Sequence, residues 1–201
     1  MKPAIAFDLD GTLVDVSKRD YRIYEDIIKN MGGAPIPYID YWPMRRAKTD
    51  IHLILSQSGI EKEEDVDFFL FERKVRMEQP VYLQIDHLFD DVIETLCTLS
   101  KVYDIYILTI RHNRKNTEEQ LKQLELDKYH TIIVDAHKED AMKHIPNLLA
   151  MAGDTENDII PALSLGLKAI AVTTGIRNES QLRGMNPTYI VKSLKDVKCI
   201  L

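Results

Sequence analysis

Two carboxylates stand directly behind the first apolar run of the chain, in the stretch AIAFDLDGTLVD. Asp8 follows the run and Asp10 comes two residues later. Side chains two apart on an extended chain point to the same side, about 6 to 7 Å apart. The two charges repel each other unless a cation offsets them. A hard divalent cation does this, and Mg²⁺ suits a small site with few protein ligands.

Three further polar residues, Thr109, Lys138 and Asp154, each follow a later apolar run. Asp154 could supply another oxygen to the cation, and Thr109 and Lys138 could hold phosphate oxygens. A carboxylate beside a metal can also act as a nucleophile, which leaves Asp10 free for proton transfer. Gly11 would let the backbone approach a phosphate closely.

The elements that must position these residues are short, continuous apolar runs. Such runs are typical of strands buried on both faces of a parallel sheet. Helical patterns lie between them, so we predict an open α/β sheet with helices on both sides. Ligands of such sheets bind beyond the carboxyl ends of the strands. The runs are 4–7, 105–108, 131–134, 148–152, 167–173 and, more weakly, 188–191.

A long segment, residues 16–84, separates the first run from the second and exceeds an ordinary loop. Its pattern predicts three helices: one ended by Gly32-Gly33, one starting near Thr49-Asp50, and one over 62–78. We interpret it as an inserted helical domain over the carboxyl edge. A further helix in the core, "NTEEQLKQLEL", is predicted to start from a capping Asn116 or Thr117.

Three motifs together resemble the haloacid dehalogenase superfamily, in its phosphatase branch. They are "FDLDGTLVD", "YILT" and "AGDTENDI". The resemblance implies a Rossmann-like parallel sheet core, 1–15 and 85–201, with a helical cap of the first type at 16–84.

The same resemblance implies roles for the motif residues. Asp8 would be the nucleophile that forms an aspartyl-phosphate, and Asp10 the acid/base. Mg²⁺ would be held by the Asp8 carboxylate, the Asp10 main-chain carbonyl and Asp154. Asp158 would either bind the ion directly or support the residues that bind it. Many members carry the phosphate lysine in a "GKP" sequence, which is absent here. Lys138 and Lys143 are both available, and Lys138 is preferred because it lies closer to the strand end.

A basic cluster in the insertion, Arg45, Arg46 and Lys48, has two interpretations. It could form a cap surface that favours a second anionic group on the substrate and so sets specificity. Alternatively, it is a solvated basic turn, with Trp42 in the core of the cap.

Composition limits the class of protein. The 201 residues include 26 basic and 32 acidic side chains, a net charge of −6, so nucleic acid is not an expected partner. No apolar stretch approaches the ~18 residues that span a bilayer. Two cysteines without metal spacing fit a reducing compartment, and we expect a cytoplasmic protein.

The function predicted from these observations is Mg²⁺-dependent hydrolysis of a small-molecule phosphomonoester. A phosphomutase that moves the phosphoryl group between sugar hydroxyls is an alternative with the same chemistry. A signalling receiver domain, which also phosphorylates an Asp on a parallel sheet, is an alternative from a different class. The long insertion and the "DLDGT" spacing speak against it.

Overall fold

The computed structural model describes residues 2–201 and centres on a six-stranded parallel sheet. Strands, numbered along the chain, are β1 (Ala4–Phe7), β2 (Val14–Asp15), β3 (His87–Leu88), β4 (Asp104–Ile110), β5 (His130–Val134), β6 (Leu148–Gly153), β7 (Lys168–Val172) and β8 (Tyr189–Val191). Helices are α1 (Ser17–Asn30), α2 (Tyr38–Arg46), α3 (Ile51–Ser56), α4 (Glu63–Arg76), α5 (Pro80–Leu83), α6 (Val92–Leu99), α7 (Arg114–Gln123), α8 (Glu139–His144), α9 (Glu156–Ser164) and α10 (Glu179–Arg183), with a 3-10 helix at Leu194–Cys199.

All six apolar runs form strands of this sheet, which confirms the predicted α/β class. Every residue of β1 is buried. Ile5 and Phe7 pack into the core on one face, and Ala4 and Ala6 into the core on the other. A continuous apolar run is therefore what this central strand requires, because neither face meets water.

The strand order places the end of β1 at a switch in the chain's direction. The order is β5-β4-β1-β6-β7-β8, with β1 paired in parallel to both β4 and β6. From β1 the chain builds outward on one side to β5, then returns to β6 on the other side. Ligands of open α/β sheets bind at this point, so the topology puts the residues after β1 at the natural binding crevice.

The insertion carries helices α1–α5 and has its own apolar core. Tyr24 and Tyr41 stack there with ring centroids 4.1 Å apart, and Phe69 packs against them. The chain enters and leaves through β2 and β3, which pair antiparallel with Val14 opposite Leu88. We propose this ribbon as the boundary between core and cap, close to the predicted limits of 16–84.

Helix ends within the cap follow their sequence signals. Gly32, at a φ of +79°, follows the end of α1, and Asp50 caps α3 by accepting from the His52 amide at 2.8 Å. The third predicted helix is α4. Helix α2 was not predicted from the sequence; it contains Pro43, a residue type that disfavours the interior of a helix.

The predicted start of α7 is wrong. Its cap is Asn113, whose side chain accepts from the Asn116 amide at 3.0 Å. Asn116 instead lies inside the first turn and donates its side-chain amide to the Glu78 carbonyl at 2.8 Å. Asn113, Asn116 and Thr117 are all residue types that can cap the N-terminus of a helix, so the sequence alone does not fix the first residue of α7. In the structure the side chain of Asn116 is used instead to contact Glu78 of the inserted domain.

Two further observations concern the cysteines and the length of the apolar helices. Cys97 and Cys199 are exposed, free thiols. Among residues 2–201, no helix combines the length and the apolar character that crossing a membrane requires.

A buried ion cluster around Asp20 ties three cap helices together. The Tyr41 hydroxyl donates to Asp20 at 2.5 Å, Arg73 also donates to it, and the Arg45 guanidinium lies 3.4 Å away. Burial alone would raise the pKa of Asp20, but Arg73 and Arg45 hold it well below its usual range. Asp20 is therefore ionised, and its charge is needed to balance two arginines.

We expect Asp20→Asn to lower the free energy of unfolding by about 3 kcal/mol at neutral pH, because it leaves buried charges unpaired. A lowered carboxyl pKa contributes its stabilisation in full above the unfolded value of about 4 and loses it as the pH falls from there toward the folded pKa, so the difference should shrink over that range. Urea unfolding measures both effects.

The matched control is Glu25→Gln, which removes an ion pair with Lys29 on the solvent side of α1. It should cost no more than about 0.5 kcal/mol. Equal losses for the two variants would contradict a special role for the buried cluster.

Candidate active site

The site residues predicted from the sequence converge at the carboxyl ends of three neighbouring strands. Asp8 follows β1, Thr109 is near the end of β4, and Asp154 follows β6. Lys138 precedes the first turn of α8. A cavity of about 160 Å³ lies between them, lined by Asp8, Asp10, Thr109, Ile110, Lys138, Thr155, Asn157 and Ile176.

Lys138 joins two of the acidic residues. Its Nζ donates to Asp8 Oδ1 at 2.5 Å and to Asp158 Oδ1 at 2.6 Å, and its side chain is 2% exposed. Burial alone would lower the pKa of Lys138, but Asp158 and Asp8 raise it above its ordinary value. Lys138 is therefore a fixed positive charge in the site.

Lys143, the other lysine considered, lies elsewhere. Its ammonium pairs with Glu139 and Asp140, both at 3.0 Å, on the exposed side of α8. The residues that follow β5 also differ in burial: Asp135 and His137 are exposed, whereas Lys138 is buried. Of the two lysines, only Lys138 reaches the carboxylates after β1.

Three carboxyl groups are buried together at the site, and Lys138 pairs with two of them, Asp8 and Asp158. One oxygen from each of Asp8, Asp154 and Asp158 lies within 4.8 Å of the others. Burial raises the pKa of Asp8 to about 7 despite Lys138, and burial with the neighbouring carboxylates raises that of Asp154 well above its usual range. The three carboxyl groups outnumber the single lysine, so ionising all of them would leave an excess of negative charge. The hard oxygen donors fit a divalent cation such as Mg²⁺, which would offset this charge.

Asp158 is partly committed to other partners. Its Oδ2 accepts from the amide and hydroxyl of Thr155, at 3.1 and 2.8 Å, which forms the capping box of α9. Its Oδ1 accepts from Lys138. In contrast, Asp154 Oδ1 has only a long 3.4 Å contact with Thr12. Asp8 and Asp154 are therefore the better-placed direct ligands, with Asp158 supporting them.

Two glycines create the space that Asp154 occupies. A Cβ on Gly11 would lie 2.2 Å from Asp154 Oδ2, and Gly11 also has a φ of +84°. A Cβ on Gly175 would lie 2.1 Å from the same oxygen, which accepts from the Ile176 amide at 2.5 Å. Gly175 and Ile176 were not predicted from the sequence, although Thr174-Gly175 directly after the run 167–173 was the available signal.

Asp10 does not join the three carboxylates but faces two arginines. Arg111 donates to both of its oxygens at 2.7 Å, and Arg19 donates to Oδ1 at 2.6 Å. Burial would raise the pKa of Asp10, but the two arginines outweigh it and lower the pKa to about 2. Both oxygens of the Asp10 side chain are thus engaged by arginines, and its predicted role in proton transfer stays a prediction. The predicted metal contact of its main-chain carbonyl stays a prediction.

Arg19 and Arg111 were also not predicted from the sequence as residues of this site. Arg19 is fully buried and links the cap to the core: it donates to the Met77 carbonyl at 3.0 Å and lies 3.2 Å from Asp86. Arg111 comes two residues after Thr109, so its position past the end of a strand was a signal. Nothing in the sequence around Arg19 marks it, because two of its partners, Met77 and Asp86, are far away in the chain.

The basic cluster of the cap contacts the protein itself. Arg46 donates to the Thr173 carbonyl at 2.5 Å, Lys48 pairs with Glu156 at 2.8 Å, and Arg45 pairs with Asp20. Arg177 shares Glu156 with Lys48. These contacts argue for holding the cap together and docking it on the core, rather than for the predicted substrate contact. They equally argue against a merely solvated turn.

Comparison with known proteins agrees with this geometry. Residues 2–166 match the model of a hydrolase family described as haloacid dehalogenase-like hydrolase. A phosphoglycolate phosphatase of Aliivibrio fischeri is 25% identical, with 98% of this chain and 95% of that protein covered. The pyrophosphatase PpaX of Halalkalibacterium halodurans is 24% identical, with 96% and 94% covered.

Solved structures show the same fold. A haloacid dehalogenase-like hydrolase from Streptococcus pneumoniae, SP0104, superposes with a TM-score of 0.74 at 23% identity, covering 99% of this chain and 98% of that one. The HAD hydrolase YfnB of Bacillus subtilis, solved with magnesium, has a TM-score of 0.66 at 16% identity and covers 100% and 98%.

The family match spans most of the chain, and its motif residues meet at one edge of a parallel sheet beneath a helical insertion. This chain belongs to the haloacid dehalogenase-like hydrolases.

Proposed function

We propose that the chain is a Mg²⁺-dependent phosphatase that hydrolyses a small phosphomonoester through an aspartyl-phosphate on Asp8. The observation that carries this proposal is the cluster of three buried carboxyl groups, Asp8, Asp154 and Asp158, two of which pair with Lys138. Asp8 is the one of the three that also lies behind the central strand, at the switch point where a ligand would enter.

Each residue would contribute a separate task. Lys138 holds Asp8 through one oxygen, which orients the carboxylate, and its charge would also attract phosphate oxygens. Thr109 and the backbone at Gly11 would hold the remaining phosphate oxygens. Asp8 and Asp154, supported by Asp158 and the Asp10 carbonyl, would hold Mg²⁺. The bound ion would offset the charge of the phosphoryl group.

Proton transfer would fall to Asp10. As Asp8 forms its bond to phosphorus, the bond to the leaving oxygen breaks and that oxygen needs a proton. Water then attacks the aspartyl-phosphate and loses a proton, which the same carboxylate can accept. Because Arg19 and Arg111 hold both oxygens of Asp10, this role requires Asp10 to exchange one arginine contact for the substrate.

The cavity points to a small substrate. Its volume of about 160 Å³ is below the roughly 300 to 1,000 Å³ of sites for drug-sized ligands. Relatives named as phosphoglycolate phosphatases and pyrophosphatases make small phosphoglycolate-like esters the first compounds to assay, with pyrophosphate beside them. Family membership decides against the receiver domain, and release of inorganic phosphate rather than an isomeric ester would distinguish hydrolysis from the mutase alternative.

Asp8→Asn should lower phosphate release at least about a thousandfold on any substrate that the wild type accepts, because an amide cannot attack phosphorus. A chelator should silence the wild type, and Mg²⁺ should restore it. A phosphate-release assay on a panel of small phosphate esters measures both effects. Asp135→Asn is the matched control, since Asp135 is exposed after β5 at the same edge. Full activity of Asp8→Asn, or of the wild type in excess chelator, would contradict the proposal.

Lys138→Ala should lower kcat about a hundredfold or more, because it removes the fixed charge beside the nucleophile. Lys143→Ala should retain nearly full activity, since that ammonium pairs only with exposed carboxylates. Kinetics of both variants, with circular dichroism to confirm folding, provide the comparison. A larger loss in Lys143→Ala would reverse the assignment.

Gly175→Ala should lower activity about a hundredfold, because a methyl group 2.1 Å from Asp154 Oδ2 must displace that carboxylate. Gly184→Ala is the control, as the nearest atom to its added methyl lies at 3.4 Å. Addition of Mg²⁺ should raise the melting temperature of Gly184→Ala more than that of Gly175→Ala. Equal activity in the two variants would contradict the proposal that the position of the Asp154 carboxylate beside Gly175 is required for activity.

A further inference from the structure

Exposed apolar side chains concentrate on the cap. Eight of the thirteen exposed large hydrophobic side chains in residues 2–201 lie between Tyr38 and Val81. Large exposed apolar patches on a soluble domain usually mark a surface that another molecule covers. Helix α4 contributes four of the eight: Phe68, Leu70, Phe71 and Val75.

Three of these residues form a stripe that faces away from the cap core. Successive helix residues are about 100° apart, so positions i, i+3 and i+7 share one side. Phe68, Phe71 and Val75 have this spacing and are 49%, 62% and 45% exposed. Val66 and Phe69 lie on the opposite side of α4 and are buried in the cap core. The stripe therefore has no packing partner within its own cap.

Charged residues flank the stripe asymmetrically. Asp67 and Lys74 are both exposed, and their seven-residue spacing places them on the same flank, two turns apart. On the other flank, Glu72 and Arg76 pair with each other at 2.6 Å. The flank with Asp67 and Lys74 thus offers one acidic and one basic side chain at nearly equal distances on either side of Phe71.

We propose that α4 is a homodimer contact, in which two copies of this helix pack antiparallel across a two-fold axis near Phe71. In an antiparallel pair each flank meets the same flank of the other helix. Asp67 then faces Lys74 of the partner subunit, and the symmetry repeats the pair. A parallel pair would instead set the two different flanks together and leave Asp67 and Lys74 without these partners. The apolar stripes would bury each other between the two ion pairs.

This inference is independent of the proposed function, because no residue of the stripe lines the active-site cavity. Sedimentation velocity over a dilution series tests it. The wild type should approach about 46 kDa, twice the chain mass of 23.2 kDa, as its concentration rises. Phe71→Asp should remain at the monomer mass. Val102→Asp is the control: this side chain is 58% exposed on the core, and its replacement should leave dimerisation unchanged.

Charge reversal tests the orientation of the two helices. Asp67→Lys should weaken the dimer about tenfold, because it sets lysines against each other. Adding Lys74→Asp should return the dissociation constant to within about threefold of wild type. Circular dichroism and unfolding midpoints check that each variant is folded. A wild type that stays monomeric or assembles beyond a dimer would overturn the proposal. Failure of the double exchange to restore dimerisation would overturn it as well.

Discussion

One charge imbalance dominates the candidate site: three carboxyl groups are buried together beside a single lysine. Lys138 pairs with Asp8 and Asp158 but not with Asp154, so one ammonium does not balance the three groups. A divalent cation would offset this imbalance. Parallel strands β1 and β6 fix Asp8 and Asp154 side by side, and small residues at Gly11 and Gly175 give Asp154 its space.

Arginines dock the cap above this centre. Arg19 joins Asp10 to Asp86 and the Met77 carbonyl, while Arg46 reaches carbonyls beyond β7. Glu78 adds a contact on the other side, where it accepts from the amides of His112 and Asn113. The cap is thus tied to Asp10 at the candidate site. Moving the cap would change the partners of Asp10, so in the proposed mechanism substrate entry would be coupled to the position of the proposed proton-transfer group.

The sequence was sufficient for the parts that depend on local pattern. Continuous apolar runs gave the six strands, and polar residues directly behind them located Asp8, Thr109, Lys138 and Asp154. It was insufficient where partners are distant in the chain. Arg111 and Asp10 are 101 residues apart in the chain, and Arg46 contacts a loop 131 residues away. The residue type alone could not show whether an arginine docks the cap on the core or binds substrate.

Chemical trapping of the phosphorylated residue tests the central claim most directly. Turnover in the presence of Mg²⁺ would be quenched with borohydride, which reduces an aspartyl-phosphate to homoserine, and the peptides would then be mapped by mass spectrometry. The account predicts homoserine at position 8, dependent on both substrate and Mg²⁺. Reduction at Asp10 instead, or steady phosphate release with no trapped residue under conditions that trap a related phosphatase, would contradict it.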